Sequence, residues 1–98
     1  MALRRQLSQR HSVYVDRYFP KTLSKKEGYR YRVVLGVGGN IGDTRRRINH
    51  LWHYLGRLPQ LCRIRSGVIL RNPPFGFHDQ NDFDNTVIEV ATSLTPRV

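Results

Sequence analysis

Two stretches of this chain hold residue types that can do chemistry. The first is NPPFGFHDQNDFDN at 72–85. Phe83 and Asn85 stand two apart where a strand begins, so their side chains emerge on one side. An aromatic face beside a primary amide suits a flat heteroaromatic ligand. The ring stacks for about 0.5–1.5 kcal/mol beyond its buried area, and the amide offers a donor and an acceptor to a ring edge that presents both. Pro73 and Pro74 stiffen the loop and Gly76 turns it sharply. A loop whose phenylalanines plug the core and whose Asn85 caps a turn accounts for the same residues equally well. Asp82 and Asp84 are weak candidates for holding Mg²⁺, because two carboxylates on an isolated loop are ordinarily just solvated.

The second stretch is GVGGNIGD at 36–43. A dinucleotide fingerprint needs G-x-G-x-x-G, but counting from Gly36 and Gly38 the third position is Ile41, with Gly42 one residue late. A Walker loop needs Gly-Lys-Ser/Thr, and the turn has no lysine. What remains is a glycine-rich turn at a helix N-terminus, where an anion is welcome. Arg45, Arg46 and Arg47 follow in the first helical turn, where positive charge opposes the macrodipole by about 0.3–1 kcal/mol each. Nearby anions account for that, and so do exposed arginines offset by Asp43. His50 and His53 share a helix face at i, i+3, but no carboxylate or cysteine joins them and zinc wants three or four protein ligands. They read as surface histidines. His78 is a lone loop histidine, and no serine, cysteine or lysine stands as an activated nucleophile.

The elements that must position these residues follow from periodicity. Tyr31, Val33, Leu35 and Val37 alternate along a strand that begins near Tyr29. Asp43 is a helix N-cap, and Ile48, Leu51, Trp52, Leu55 and Leu58 form one apolar helical stripe closed by Gly56 and Pro59. CRIRSGVIL at 62–70 alternates again, with Cys62, Ile64 and Val68 on the side away from Arg63 and Arg65, so Cys62 faces inward. NTVIEVATSL at 85–94 gives a third strand, with Ile88, Val90 and Leu94 inward. Strand, helix, strand, long loop, strand is the first two-thirds of a ferredoxin-like α+β fold, with the second helix and fourth strand absent.

At 98 residues with 39% hydrophobic side chains, the chain holds at most one small domain. No apolar run reaches the roughly 20 residues of a membrane-spanning helix. Cys62 is the one cysteine, so no internal disulfide forms, which leans toward a reducing compartment. The net charge of +10 is uneven. Residues 1–32 carry nine Lys/Arg against Asp16 and Glu27, a net +7, whereas 33–98 carry a net +3. Residues 1–28 therefore read as a basic extension on a domain at 29–98. The extension fits a solvated arm, a nucleic-acid or anionic-surface binder, or an arginine-rich organellar transit peptide. Val13, Val15, Tyr18 and Phe19 are the residues by which part of it packs onto the domain.

LGVGGNIGD followed by the amphipathic helix, and RNPPFGFHDQNDFDNTVIEVATSLTP after it, resemble the N-terminal portion of 6-hydroxymethyl-7,8-dihydropterin pyrophosphokinase. This is the folate-pathway family that transfers diphosphate from ATP to the pterin hydroxymethyl group. The resemblance covers 33–96. It implies that Asn72, Pro73 and Phe75 line a pterin pocket, that Phe83 stacks on the pterin, and that Asn85 hydrogen-bonds its polar edge. By the same resemblance Gly38, Gly39 and Asn40 form a mobile catalytic loop. Gly39 departs from the family's usual serine, and Asp84 stands where an apolar residue is usual.

The resemblance implies ATP and Mg²⁺ as cofactors. The family's metal-binding Asp-x-Asp pair and ATP-binding arginines come later in its sequences, so no catalytic or metal residue is expected within this chain, and the chain alone is expected to be inactive. Its expected partners are the pterin, ATP, and a C-terminal half or a second copy meeting an exposed sheet edge. No membrane is expected, and the expected location is cytoplasmic, with organellar targeting by the basic N-terminus as the alternative. A nucleic-acid-binding module and a non-catalytic structural or regulatory remnant of the family are the competing readings.

Overall fold

The computed structural model describes residues 2–8, 11–23, 28–73 and 82–93. Seven strands and one helix follow in the order β1 (Leu3–Gln6), β2 (Ser12–Val15), β3 (Lys21–Thr22), β4 (Tyr31–Gly39), α1 (Thr44–Leu55), β5 (Leu61–Ser66), β6 (Ile69–Asn72) and β7 (Phe83–Thr92). Among the described residues the architecture is α+β, one helix on one face of an antiparallel sheet, which is compatible with a ferredoxin-like fragment.

The sheet is organised around β7. Along one side β7 pairs with β4 from Tyr31↔Thr92 to Gly39↔Asp84. Along the other it pairs first with β6 and then with β5. The stretch expected as a single strand at 62–70 is therefore broken in two at Gly67 and Val68, where the Gly67 N–H donates to the Val87 carbonyl at 2.9 Å. A bulge between Arg63 and Arg65 shifts the register, which lets Ile64 join Cys62 and Ala91 in a small buried cluster. Val68, expected inward, is 37% exposed, because the alternation restarts after the break.

The N-terminal arm is built into the sheet. β2 pairs with β6, β3 with β5, and β1 closes a hairpin onto β2. Phe19 is fully buried, with its ring 5.7 Å from that of Trp52 at 62°. The core joins Tyr14 and Phe19 of the arm to Ile48, Trp52 and Leu55 of α1 and to Ile69, Ile88 and Val90 of the sheet. Of the four residues expected to pack, Phe19 is buried and Tyr18 lies against the core, but on β2 the alternation buries Tyr14 in place of its neighbours Val13 and Val15, while the exposed basic side chains of the arm stay in water.

Helix α1 begins where expected. The Asp43 carboxylate accepts the Arg46 N–H at 3.1 Å, and Gly56 closes the helix by donating its N–H to the Trp52 carbonyl. The Arg63 guanidinium stacks 4.6 Å over the Trp52 ring and donates to the Trp52 carbonyl, placing a cation at the helix C-terminus. A Cβ at Gly56 would lie 2.6 Å from Arg63 Cζ, so the glycine makes room for this stack. On the arm side of α1, Asn49 donates to Asp16 at 3.1 Å and Tyr18 meets His53 edge-on. On its other side Leu51, Val33, Leu35 and Val37 remain half-buried.

Candidate functional site

The residues singled out from the sequence converge at one end of the sheet, where β4 and β6 end and β7 begins. Three cross-strand rows build this end. Asn72 faces Phe83; Arg71 and Gly39 flank Asp84; Leu70 and Gly38 flank Asn85. Alternation along a strand sends consecutive rows to opposite faces of the sheet. Phe83 and Asn85 therefore share the face away from α1 with Asn72 and Leu70, while Asp84 and Arg71 share the helix face with Thr86 and Ile88. The strand starts at Phe83, two residues earlier than the apolar alternation alone marks.

On the outer face Asn85 Nδ2 donates to Asn72 Oδ1 at 2.7 Å, and Asn72 Nδ2 donates to the Pro73 carbonyl at 3.2 Å. The two amides are thus ordered relative to one another and keep the Asn85 carbonyl for another donor. Phe83 is only half-buried and stands outside the core cluster, so its ring is not a core plug. Gly38 keeps this face clear. A Cβ there would sit 2.9 Å from the Asn85 Cβ and 3.1 Å from the Asp84 carbonyl oxygen, closer than real side chains approach. Phe75 lies outside the described residues.

The helix face is built differently. Asp84 is 5% exposed and accepts two hydrogen bonds from Arg71, Nε to Oδ1 at 2.8 Å and a terminal nitrogen to Oδ2 at 2.9 Å. The hydrogen bond to Asp84 is the main reason that the Arg71 pKa lies above the ordinary arginine value, with burial opposing it. The Arg71 guanidinium lies 4.8 Å over the ring of Tyr14, and Arg45 lies 4.1 Å from the same ring. Tyr14 of the arm is therefore wedged among two guanidinium planes. This cluster lies outside the sequence expectations. Its signal was Asp84 itself: a carboxylate in step with the inward alternation of Ile88 and Val90 calls for a cation across the ladder.

Two clefts open on the helix side of this end. A polar one of about 270 Å³ is lined by Asn40, Gly42, Thr44, Arg71, Asp82 and Asp84. An apolar one of about 400 Å³ runs between the end of β4 and α1, past Val37, Gly39, Ile48 and Leu51, with Arg47 at its rim. Phe83 and Asn85 line neither, since they face the other side of the sheet. The helix N-terminus is not an open anion cradle. The Thr44 N–H donates to the Gly42 carbonyl, and the Arg46 and Arg47 N–H groups donate to Asp43. The arginine run is used within the fold: Arg45 stacks on Tyr14, and Arg47 reaches back to the Ile41 carbonyl. Only Arg46 of the three has its side chain without such a contact among those described. His50 and His53 are both exposed. Among the described residues no three His, Cys, Asp or Glu side chains gather as a metal site.

Comparison with known proteins finds relatives of one name. The chain is 33% identical over 85 residues to the 2-amino-4-hydroxy-6-hydroxymethyldihydropteridine pyrophosphokinase of Helicobacter pylori, covering 87% of the chain and 52% of that protein. It is 28% identical over 82 residues to the enzyme of that name from Campylobacter jejuni, again covering 52% of it. It is 34% identical over 65 residues to the one from Methylorubrum extorquens, covering 41% of it. The chain is a relative of these pyrophosphokinases. It spans about half the length of the relatives it matches. No family model matches the chain, and no solved structure matches it. Because residues 29–98 number only 70, the 85 residues matched in the Helicobacter pylori protein take in at least 15 residues of the basic arm. The likeness therefore extends into the segment that carries Tyr14 and Phe19.

Proposed function

We propose that this chain is the pterin-facing, N-terminal portion of a diphosphokinase that moves diphosphate from ATP to 6-hydroxymethyl-7,8-dihydropterin. The observation that carries the proposal is the outer-face row: Phe83 beside Asn85, Asn85 hydrogen-bonded to Asn72, and Gly38 leaving the space above them free. In this reading Phe83 stacks on the pterin face and Asn85 presents its amide to the pterin edge. Asn72, Pro73 and Phe75 wall the ring, and Gly38, Gly39 and Asn40 form the adjoining loop. The fold is a ferredoxin-like one whose second helix and fourth strand lie outside this chain. Among the described residues β4 is paired on one side only, with β7, and its other edge together with the half-buried Leu51, Val33, Leu35 and Val37 is where they would pack.

ATP with Mg²⁺ is the diphosphate donor in this reading, supplying the transferred group and charge neutralisation. Among the described residues the carboxylates at this end do not fit the metal: both Asp84 oxygens accept from Arg71, which leaves the exposed Asp82 as a single ligand. No step of the transfer is therefore assigned to this chain's residues beyond binding and orienting the pterin. In this reading the metal and ATP ligands come from a C-terminal half, and that half or a second copy covers the β4 edge, the second copy without supplying those ligands. The location in this reading is cytoplasmic. No helix among the described residues is long and apolar enough to cross a membrane.

The test has two arms. AMP release from ATP and 6-hydroxymethyl-7,8-dihydropterin is expected at background with the chain alone, and is expected to rise when the C-terminal segment of a relative is added. Fluorescence titration with 6-hydroxymethylpterin is expected to show weak binding that Asn85→Ala removes. Salt-sensitive retention on heparin together with no pterin binding would overturn the reading in favour of a polyanion-binding module, which the net charge of +10 would then explain.

A further inference from the structure

We propose that Asp84, Arg71 and Tyr14 are positioning residues for the ligand-facing row Asn72, Phe83 and Asn85, so that the N-terminal arm is part of the site. This deepens the pterin reading and rests on it for the identity of the ligand.

The two sets of residues are back to back on one short ladder. β6 meets β7 at only three residue pairs: Leu70↔Asn85, Arg71↔Asp84 and Asn72↔Phe83. The middle pair points to the helix face and the outer two point to the ligand face. A slip of β6 by one residue in so short a ladder would exchange its faces, turning Asn72 inward and Arg71 outward and breaking the Asn72–Asn85 hydrogen bond, while β7 keeps its own facing through its ladder with β4. Backbone hydrogen bonds alone do not prevent this, because they re-form after a slip. The Arg71–Asp84 pair does prevent it. A two-pronged guanidinium–carboxylate contact is satisfied in one geometry only, and after a slip the carboxylate would lose its partner.

Arg71 is itself held. Its guanidinium lies over Tyr14, and Arg45 of α1 lies over the same ring. Tyr14 is 8% exposed and sits on β2, whose register with β6 is Tyr14↔Ile69 and Ser12↔Arg71. The chain of contact thus runs from the arm through Arg71 to Asp84, directly beneath Asn85 and Phe83. A buried ion pair adds little net stability over an apolar pair of similar volume, and fixing register is its best-attested use.

The experiment compares the wild-type chain with Asp84→Leu/Arg71→Met and with Tyr14→Leu. It reads the urea midpoint, the NMR signals of the Asn72 and Asn85 side-chain amides, and affinity for 6-hydroxymethylpterin. The apolar double variant is expected to keep its midpoint. It is also expected to lose the downfield shift and slow solvent exchange of the Asn85 amide proton donated in the 2.7 Å bond, and to bind the pterin at least tenfold more weakly. Tyr14→Leu is expected to move the amides and the affinity in the same direction by less. Arg71→Lys, which keeps the charge but not the fork, is expected not to restore the signals. Wild-type amide signals and wild-type affinity in the folded double variant would overturn the proposal, leaving the pterin reading intact. Altered amide signals in a series whose wild type binds no pterin would support the brace as the device that sets this row, and would remove the pterin reading instead.

Discussion

Replacing Phe19 by alanine separates an arm that is part of the domain from an arm that merely hangs from it. The side chain is fully buried and its ring meets Trp52 at 5.7 Å. Emptying such a site costs about 3–5 kcal/mol, the transfer of the ring plus the cavity left behind. A domain of this size has about 5–15 kcal/mol in total. At roughly 4–8 °C per kcal/mol for small domains, the thermal midpoint should fall by at least about 12 °C. Trp52 is the one tryptophan, it is 1% exposed, and it touches the altered position, so its fluorescence follows unfolding directly. Arg5→Ala, on the fully exposed β1, is the control and should change stability by no more than about 0.5 kcal/mol. If Phe19→Ala unfolds within 0.5 kcal/mol of wild type, on the scale expected of surface changes, residues 11–23 are an appendage and the transit-peptide or polyanion-arm reading regains its standing. If the expected loss is seen, processing that removed residues 1–22 would take part of the core with it.

Two further outcomes follow from the same geometry. Gly38→Val should cost about 1–3 kcal/mol by overpacking and abolish 6-hydroxymethylpterin binding, since even a Cβ there lies 2.9 Å from Asn85 Cβ; a folded variant with unchanged affinity would show that the outer face is not the binding face. Cys62, 7% exposed, should react with an aromatic disulfide reagent only as fast as the domain opens; rapid labelling of the native chain would place β5 at a less protected edge than the structure gives it.

The local elements around the site were legible from the sequence because each rests on near-neighbour chemistry. Asp43 caps α1 because a carboxylate three residues from an N–H can reach it, and the 3.6-residue stripe from Ile48 to Leu55 buries Ile48, Trp52 and Leu55 wherever the helix lands. The two-residue spacing of Phe83 and Asn85 puts them on one face of any strand. What periodicity misread was local too. One bulge between Arg63 and Arg65 and a break at Gly67 were enough to turn Val68 outward, since alternation holds only while the ladder is unbroken.

Long-range pairing was another matter. Nothing in the order of residues says that Ser12 lies opposite Arg71, or that a tyrosine in a basic arm stacks on that arginine. Asp84 looked like a departure from pattern until the ladder set Arg71 across from it, and Arg45 looked like a misplaced charge until Tyr14 lay against it. Composition read the arm as charge, whereas packing used its few apolar side chains. Which residues can cap, alternate and stack is legible along the chain, because those properties depend on neighbours a few positions away. Which charges are neutralised and which segments share the core becomes visible in the folded molecule, because burial and ion pairing depend on residues brought together from distant points along the chain.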